Sequence, residues 1–150
     1  MDELLTRNRN VNRGYRKLRA WLRAIDLYGL ICPTTQNMPG HPWKIIGQIQ
    51  DAAQSISANI AEGYCRKSIK EYLNFLNIAL GSAGELYSRC YACHRANQIR
   101  CEDFDQIDSL HYEVENLLLR LIESLQEKQQ DGDWQDSFLA REERAEYYIE

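Results

Sequence analysis

Apolar residues in this chain recur every three or four positions in four long runs, the period of a helix with one buried face. In the first run Tyr15, Leu18, Leu22, Ile25, Gly29 and Cys32 form the stripe, and Trp21 and Tyr28 widen it. A helix is predicted over residues 14–36, with Pro33 placed to kink or end it. The stretch 33–42, PTTQNMPGHP, reads as a loop. A second helix, residues 42–64, takes Pro42 in its first turn and buries Ile45, Ile49, Ala52, Ala53, Ile56 and Ile60. Ser68, with Glu71 three residues on, caps a third helix over 68–97, whose stripe is Tyr72, Leu76, Ala79, Ala83, Leu86 and Cys90. The fourth, 102–129, is the most regular: Phe104, Ile107, His111, Val114, Leu118, Leu121 and Leu125, with acids at its start. Long amphipathic helices joined by short connections predict an all-α fold, an antiparallel up-down-up-down four-helix bundle over residues 1–130. The acidic tail 131–150 is expected to be weakly ordered, with room for a short helix near Phe138–Tyr148.

The second and third helices carry many small residues. With a turn near Lys67, Ala53 is expected to face Gly81, and Ile56 to face Ile78. Glycine inside a helix costs about 1 kcal/mol relative to alanine, so Gly81 and Gly84 are expected to mark close approach of the two helices. Ser55, Asn59, Glu62, Ser82 and Glu85 lie on or beside that seam, as a structural polar network or, alternatively, a carboxylate site.

The motifs of this hairpin, SISANIAEGYCRKSIKEYLNFLNIALGSAGEL over residues 55–86, resemble the four-helix-bundle proteins encoded by intervening sequences in bacterial 23S rRNA genes. That family includes the accessory variability determinant of diversity-generating retroelements. The matching positions are Ser55, Ile56, Asn59, Ile60, Ala61, Glu62 and Gly63, then Lys70, Glu71, Tyr72, Leu76, Ile78, Ala79, Gly81, Ser82, Glu85 and Leu86. The segment YRKLRAWLRAIDLY is similar to the family's opening, and the resemblance spans residues 14–128. It implies a homopentamer around a central channel. For the retroelement members it implies binding to RNA or DNA and to a partner reverse transcriptase, with no catalysis.

Charge locates a place for nucleic acid. The net charge is −4 over 150 residues, but residues 131–150 alone carry −5, which leaves the body at +1. Arg16, Arg19 and Arg23 fall together on a helical wheel, flanked by Arg13 and Lys17, and Arg66, Lys67 and Lys70 form a second group at the turn between the second and third helices. One-sided cations are what a phosphate backbone requires; the plain alternative is a solvated helix face with ordinary ion pairs.

Other constellations are weaker. Cys90-Tyr-Ala-Cys93-His94 matches the haem-attachment pattern, and Cys101 completes a zinc-like set, but no second paired-cysteine motif is present and Cys90 falls on the core stripe. His111 near Asp108 reads as a core histidine, and His41 as a loop residue. No phosphate loop or nucleophile elbow occurs, so no cofactor, metal or catalytic residue is expected. The five cysteines, the polar first ten residues and the lack of a long apolar run suggest a cytoplasmic protein with no membrane segment. The remaining function classes are a nucleic-acid-binding accessory bundle, a protein–protein adaptor with the acidic tail as a contact element, and a bundle metalloprotein.

Overall fold

Before the first long helix, the computed structural model, which describes residues 2–134, forms two short 3-10 segments, Glu3–Leu5 and Val11–Lys17. Four α-helices follow: α1 (Arg19–Gln36), α2 (Trp43–Tyr64), α3 (Ile69–Arg95) and α4 (Cys101–Asp131). No strand occurs among the described residues. The expected tail helix near Phe138–Tyr148 lies outside them.

The predicted start of the first helix is corrected. Asn10 caps a 3-10 segment by accepting from the Arg13 amide, and Leu18 is extended, so the α-helix begins only at Arg19. The helix runs one turn past Pro33. Ser68 caps α3 by accepting from the Glu71 amide at 3.4 Å, the contact its sequence spacing calls for. Gly132, at φ 69°, ends α4 in the left-handed conformation that glycine adopts freely.

Each helix packs on the next and α4 returns onto α1, which makes a helical bundle. The inner faces of α3 and α4 are those predicted: Tyr72, Leu76, Ala79, Ala83, Leu86 and Cys90 are buried, as are Phe104, Ile107, His111, Val114, Leu118, Leu121 and Leu125. The face of α1 is not the predicted one. Ala20, Ala24, Leu27, Ile31 and Thr35 are buried, whereas Ile25 and Gly29 are exposed. Alanines and a threonine share this face with Leu27 and Ile31; Thr35 is accommodated because its hydroxyl donates back to the Ile31 carbonyl. On α2, Ile46 takes the inner position expected of Ile45.

The α2–α3 pairing is the most extensive in the bundle, and its tight point is not where the sequence suggests. Gly81 and Gly84 face outward, and a Cβ built on either meets nothing within 4 Å. Gly81 lies two positions beyond buried Ala79, about 200° around the helix, and therefore on the outer side. Gly63 is the close approach: a Cβ there would stand 2.8 Å from Phe75 Cβ and 3.1 Å from the Tyr72 carbonyl oxygen.

Candidate nucleic-acid interface

The end of the bundle that carries the α2–α3 turn gathers most of the expected cations. Gly14 packs so closely on Tyr64 that a Cβ would overlap the phenol hydroxyl. Cys65 Sγ contributes a hydrogen bond to the Asn12 carbonyl at 3.2 Å, and Tyr15 meets Tyr64 and Trp21 edge-on. These contacts latch the Val11–Lys17 segment onto the end of α2, directly before Arg66, Lys67 and Lys70. Trp134, beyond α4, packs on Tyr72 with ring centroids 6.3 Å apart, so α4 ends at this same end of the bundle.

The expected arginines do not act as one free patch. Arg16 is a clasp for the N-terminal segment: Nη1 donates to the Leu4 carbonyl, and Nη2 to the carbonyls of Arg7 and Asn8. Its Nε is buried with no acceptor among the described residues. Arg23 donates through Nε and Nη2 to the two oxygens of Glu113, at 3.1 and 2.9 Å, and through Nη1 to Asp26 at 2.7 Å. Arg19 joins Glu113 at 3.1 Å. The hydrogen bond from Arg23 holds the Glu113 carboxyl below its ordinary range, and Glu113 raises the Arg23 guanidinium in turn. Arg66 pairs with Glu62 at 2.9 Å and lies over the Phe75 ring. Arg13 is exposed and gives one Nη1 bond to the Asn8 carbonyl; Lys17 is half-buried and Lys70 exposed, and none of these three forms an ion pair among the described residues.

The N-terminal segment and the start of α1 together enclose a cavity of about 660 Å³, which sequence reasoning did not anticipate. Arg9, Arg13, Arg16, Lys17, Arg19 and Arg23 line it against two acids, Asp2 and Asp26. Asp26 is already held by Arg23, and Asp2 accepts from the Leu4 amide. Six cations over two paired acids make this a positive concavity in a chain of net negative charge, and low-dielectric walls concentrate such a field.

The expected polar network between α2 and α3 is not formed. Asn59 Nδ2 donates to the Ser55 carbonyl, Glu62 accepts from Arg66, and Glu85 accepts from Arg89, each within its own helix. Ser82 is half-buried and joins none of them. Buried Ala52, Ala53, Ile56, Ala79 and Ala83 fill the seam instead. A polar tie between the helices is Arg89 Nη1 to Gln48 Oε1 at 3.1 Å, which no short-range spacing signals.

Among the described residues no group of three or more His, Cys, Asp or Glu side chains is placed to hold a metal ion. Cys90 is buried, and burial pushes its thiol up to about 12. His94 stacks on Phe104, with Nδ1 3.2 Å from the Ile99 carbonyl. His111 is buried, with Nε2 2.6 Å from the Ala83 carbonyl and Nδ1 3.0 Å from Glu115. No helix of the described residues is long and apolar enough to cross a membrane.

Residues 16–120 match the family model described as the 23S rRNA-intervening sequence protein. Among solved structures, a protein of unknown function from the S23 ribosomal protein family of Bacteroides thetaiotaomicron is similar, with a TM-score of 0.65 and 24% identity over 69% of this chain and 95% of that one. At that identity the likeness concerns the fold alone. No curated protein matches the chain.

Proposed function

The chain belongs to the 23S rRNA-intervening sequence protein family, and from that premise we propose that it is a non-catalytic accessory protein that assembles as a homopentamer and binds nucleic acid. Each subunit is read as an antiparallel up-down-up-down bundle, the direction that the short connections 65–68 and 96–100 favour. The observation that carries the binding reading is the positive concavity at the N-terminal end, with Arg13, Lys17 and the neighbouring Lys70 outside any ion pair among the described residues. A ring of subunits repeats this modest patch and strengthens it through avidity.

Support for assembly comes from the outer side of α3. Gly81 and Gly84 meet nothing within the subunit, and Ile78 between α3's inner stripe and those glycines is 45% exposed. Two exposed helical glycines each give up about 1 kcal/mol relative to alanine, and a helix of another copy lying close against them accounts for the choice. A reverse transcriptase as in diversity-generating retroelements is the proposed protein partner. A plain protein–protein adaptor is the second reading, favoured by Tyr112 and Leu119, which are exposed two turns apart on one face of α4.

Fluorescence anisotropy with a labelled single-stranded RNA, together with light scattering for mass, tests the proposal. RNA binding by a five-subunit particle, weakened in an Arg13→Ala/Lys17→Ala variant, is expected. A monomer that ignores RNA at low salt favours the adaptor.

A further inference from the structure

We propose that the cavity beneath the N-terminal segment is a nucleotide pocket, which takes one nucleoside phosphate with the base against apolar walls and the phosphate on the basic rim. This rests on the nucleic-acid reading above and deepens it, by giving the ligand a place and a unit size. At about 660 Å³ the cavity falls within the range of small-molecule sites, too large for a single ion and of a size for one nucleotide. Leu5 and Leu22 line it, and the aliphatic stems of its arginines and Lys17 extend the apolar surface that a flat base needs. Its charge comes from the same side chains, and of these Arg13 and Lys17, in no ion pair among the described residues, are the ones that meet a phosphate.

Arg16 stands in the cavity wall in a fixed orientation. Three backbone carbonyls, those of Leu4, Arg7 and Asn8, fix its terminal nitrogens, so the guanidinium is oriented before any ligand arrives. Its Nε–H is buried and has no acceptor among the described residues. Arg16 also lines the cavity, so this pre-oriented guanidinium adds its fixed charge to the wall. Arg13 and Lys17 neutralise the phosphate charge. Asp2 and Asp26 also line the cavity; each has a protein donor of its own, the Leu4 amide and Arg23.

The test titrates the full chain with adenosine 5′-monophosphate, adenosine, inorganic phosphate and a single-stranded oligonucleotide by calorimetry at fixed ionic strength. The monophosphate is expected to bind at least about tenfold more tightly than either adenosine or phosphate alone, because the pocket reads both parts. Leu5→Trp fills the cavity and leaves every charge in place; the Glu3–Leu5 segment contains no buried residue, so the bundle is spared. This variant is expected to weaken monophosphate binding about tenfold or more. Lys17→Gln is expected to weaken both monophosphate and phosphate. Monophosphate binding no tighter than phosphate, or unchanged in Leu5→Trp, overturns the pocket. If the oligonucleotide still binds in that case, the nucleic-acid reading stands without it. If the monophosphate binds and the oligonucleotide does not, the pocket stands, its ligand is a free nucleotide, and the nucleic-acid reading falls.

Discussion

Glu113 on α4 grips Arg23 on α1 with both carboxylate oxygens, at 3.1 Å to Nε and 2.9 Å to Nη2, and the same carboxylate takes Arg19. The pairing ties the last helix of the bundle to the first, ninety positions apart in sequence. It also spends on packing two cations that the sequence pattern places in a nucleic-acid patch. One carboxylate thus ties two helices together and holds two of the cations proposed to bind nucleic acid.

Replacing Glu113 separates these effects. The Arg23 hydrogen bond lowers the Glu113 carboxyl below its ordinary 4.5, so the pairing contributes stability that is present above that value and lost as pH falls through the lower folded value. Both partners are about one-third exposed, so Glu113→Gln should cost no more than about 1 kcal/mol near neutral pH, and the gap to wild type should close in acid. Thermal melts as a function of pH measure it. RNA affinity should move the other way and rise, because Arg19 and Arg23 are released to phosphate.

The glycines give a paired comparison. Gly63→Ala forces a Cβ against Phe75 and the Tyr72 backbone and should destabilise the chain by about 1–3 kcal/mol. Gly81→Leu meets open space in the subunit, so its helix should hold, while close approach of a second copy is blocked. Melting curves and light scattering should therefore show Gly63→Ala losing stability and Gly81→Leu losing mass. A Gly81→Leu particle of unchanged mass removes this face of α3 from the assembly.

His111 joins the two halves of the core through its Nε2 bond to the Ala83 carbonyl. The carbonyl only accepts, so Nε2 donates to it. His111→Phe keeps an aromatic ring but deletes the contacts to both Ala83 and Glu115, and should cost about 1–3 kcal/mol, read from a urea midpoint with unchanged slope.

The thiols should label in order of exposure. Cys101 is exposed, while burial raises both Cys90 and Cys93, the former to about 12. Alkylation at mildly alkaline pH, followed by mass spectrometry, should modify Cys101 first and Cys90 only after denaturant is added.

The inner faces of α3 and α4 were legible in the sequence because large apolar residues mark every turn, from Tyr72 to Cys90 and from Phe104 to Leu125. The face of α1 was not, because Ala20, Ala24 and Thr35 alternate there with Leu27 and Ile31 while Ile25 and Leu22 suggest a competing stripe. Periodicity weighs size and apolarity, and a close helix contact rewards neither. The motif glycines misled for a related reason: Gly81 and Gly84 are small without being inside, whereas Gly63 is both. At the candidate interface the cations were legible but their partners were not. Arg19 and Arg23 meet Glu113, and Arg16 meets three carbonyls, only after the chain has closed. The cavity has no local signature, since an N-terminal segment of short 3-10 turns folds back to build one of its walls.

The central claim is that the N-terminal end binds nucleic acid through its cations, and the salt dependence of binding tests it most directly. The slope of log affinity against log salt should be clearly negative for the wild-type chain with single-stranded RNA. In Arg13→Ala/Lys17→Ala it should be shallower by about 1.4, near 0.7 for each phosphate contact removed. A wild-type chain that binds with no salt dependence, or equal slopes for the two proteins, contradicts the account.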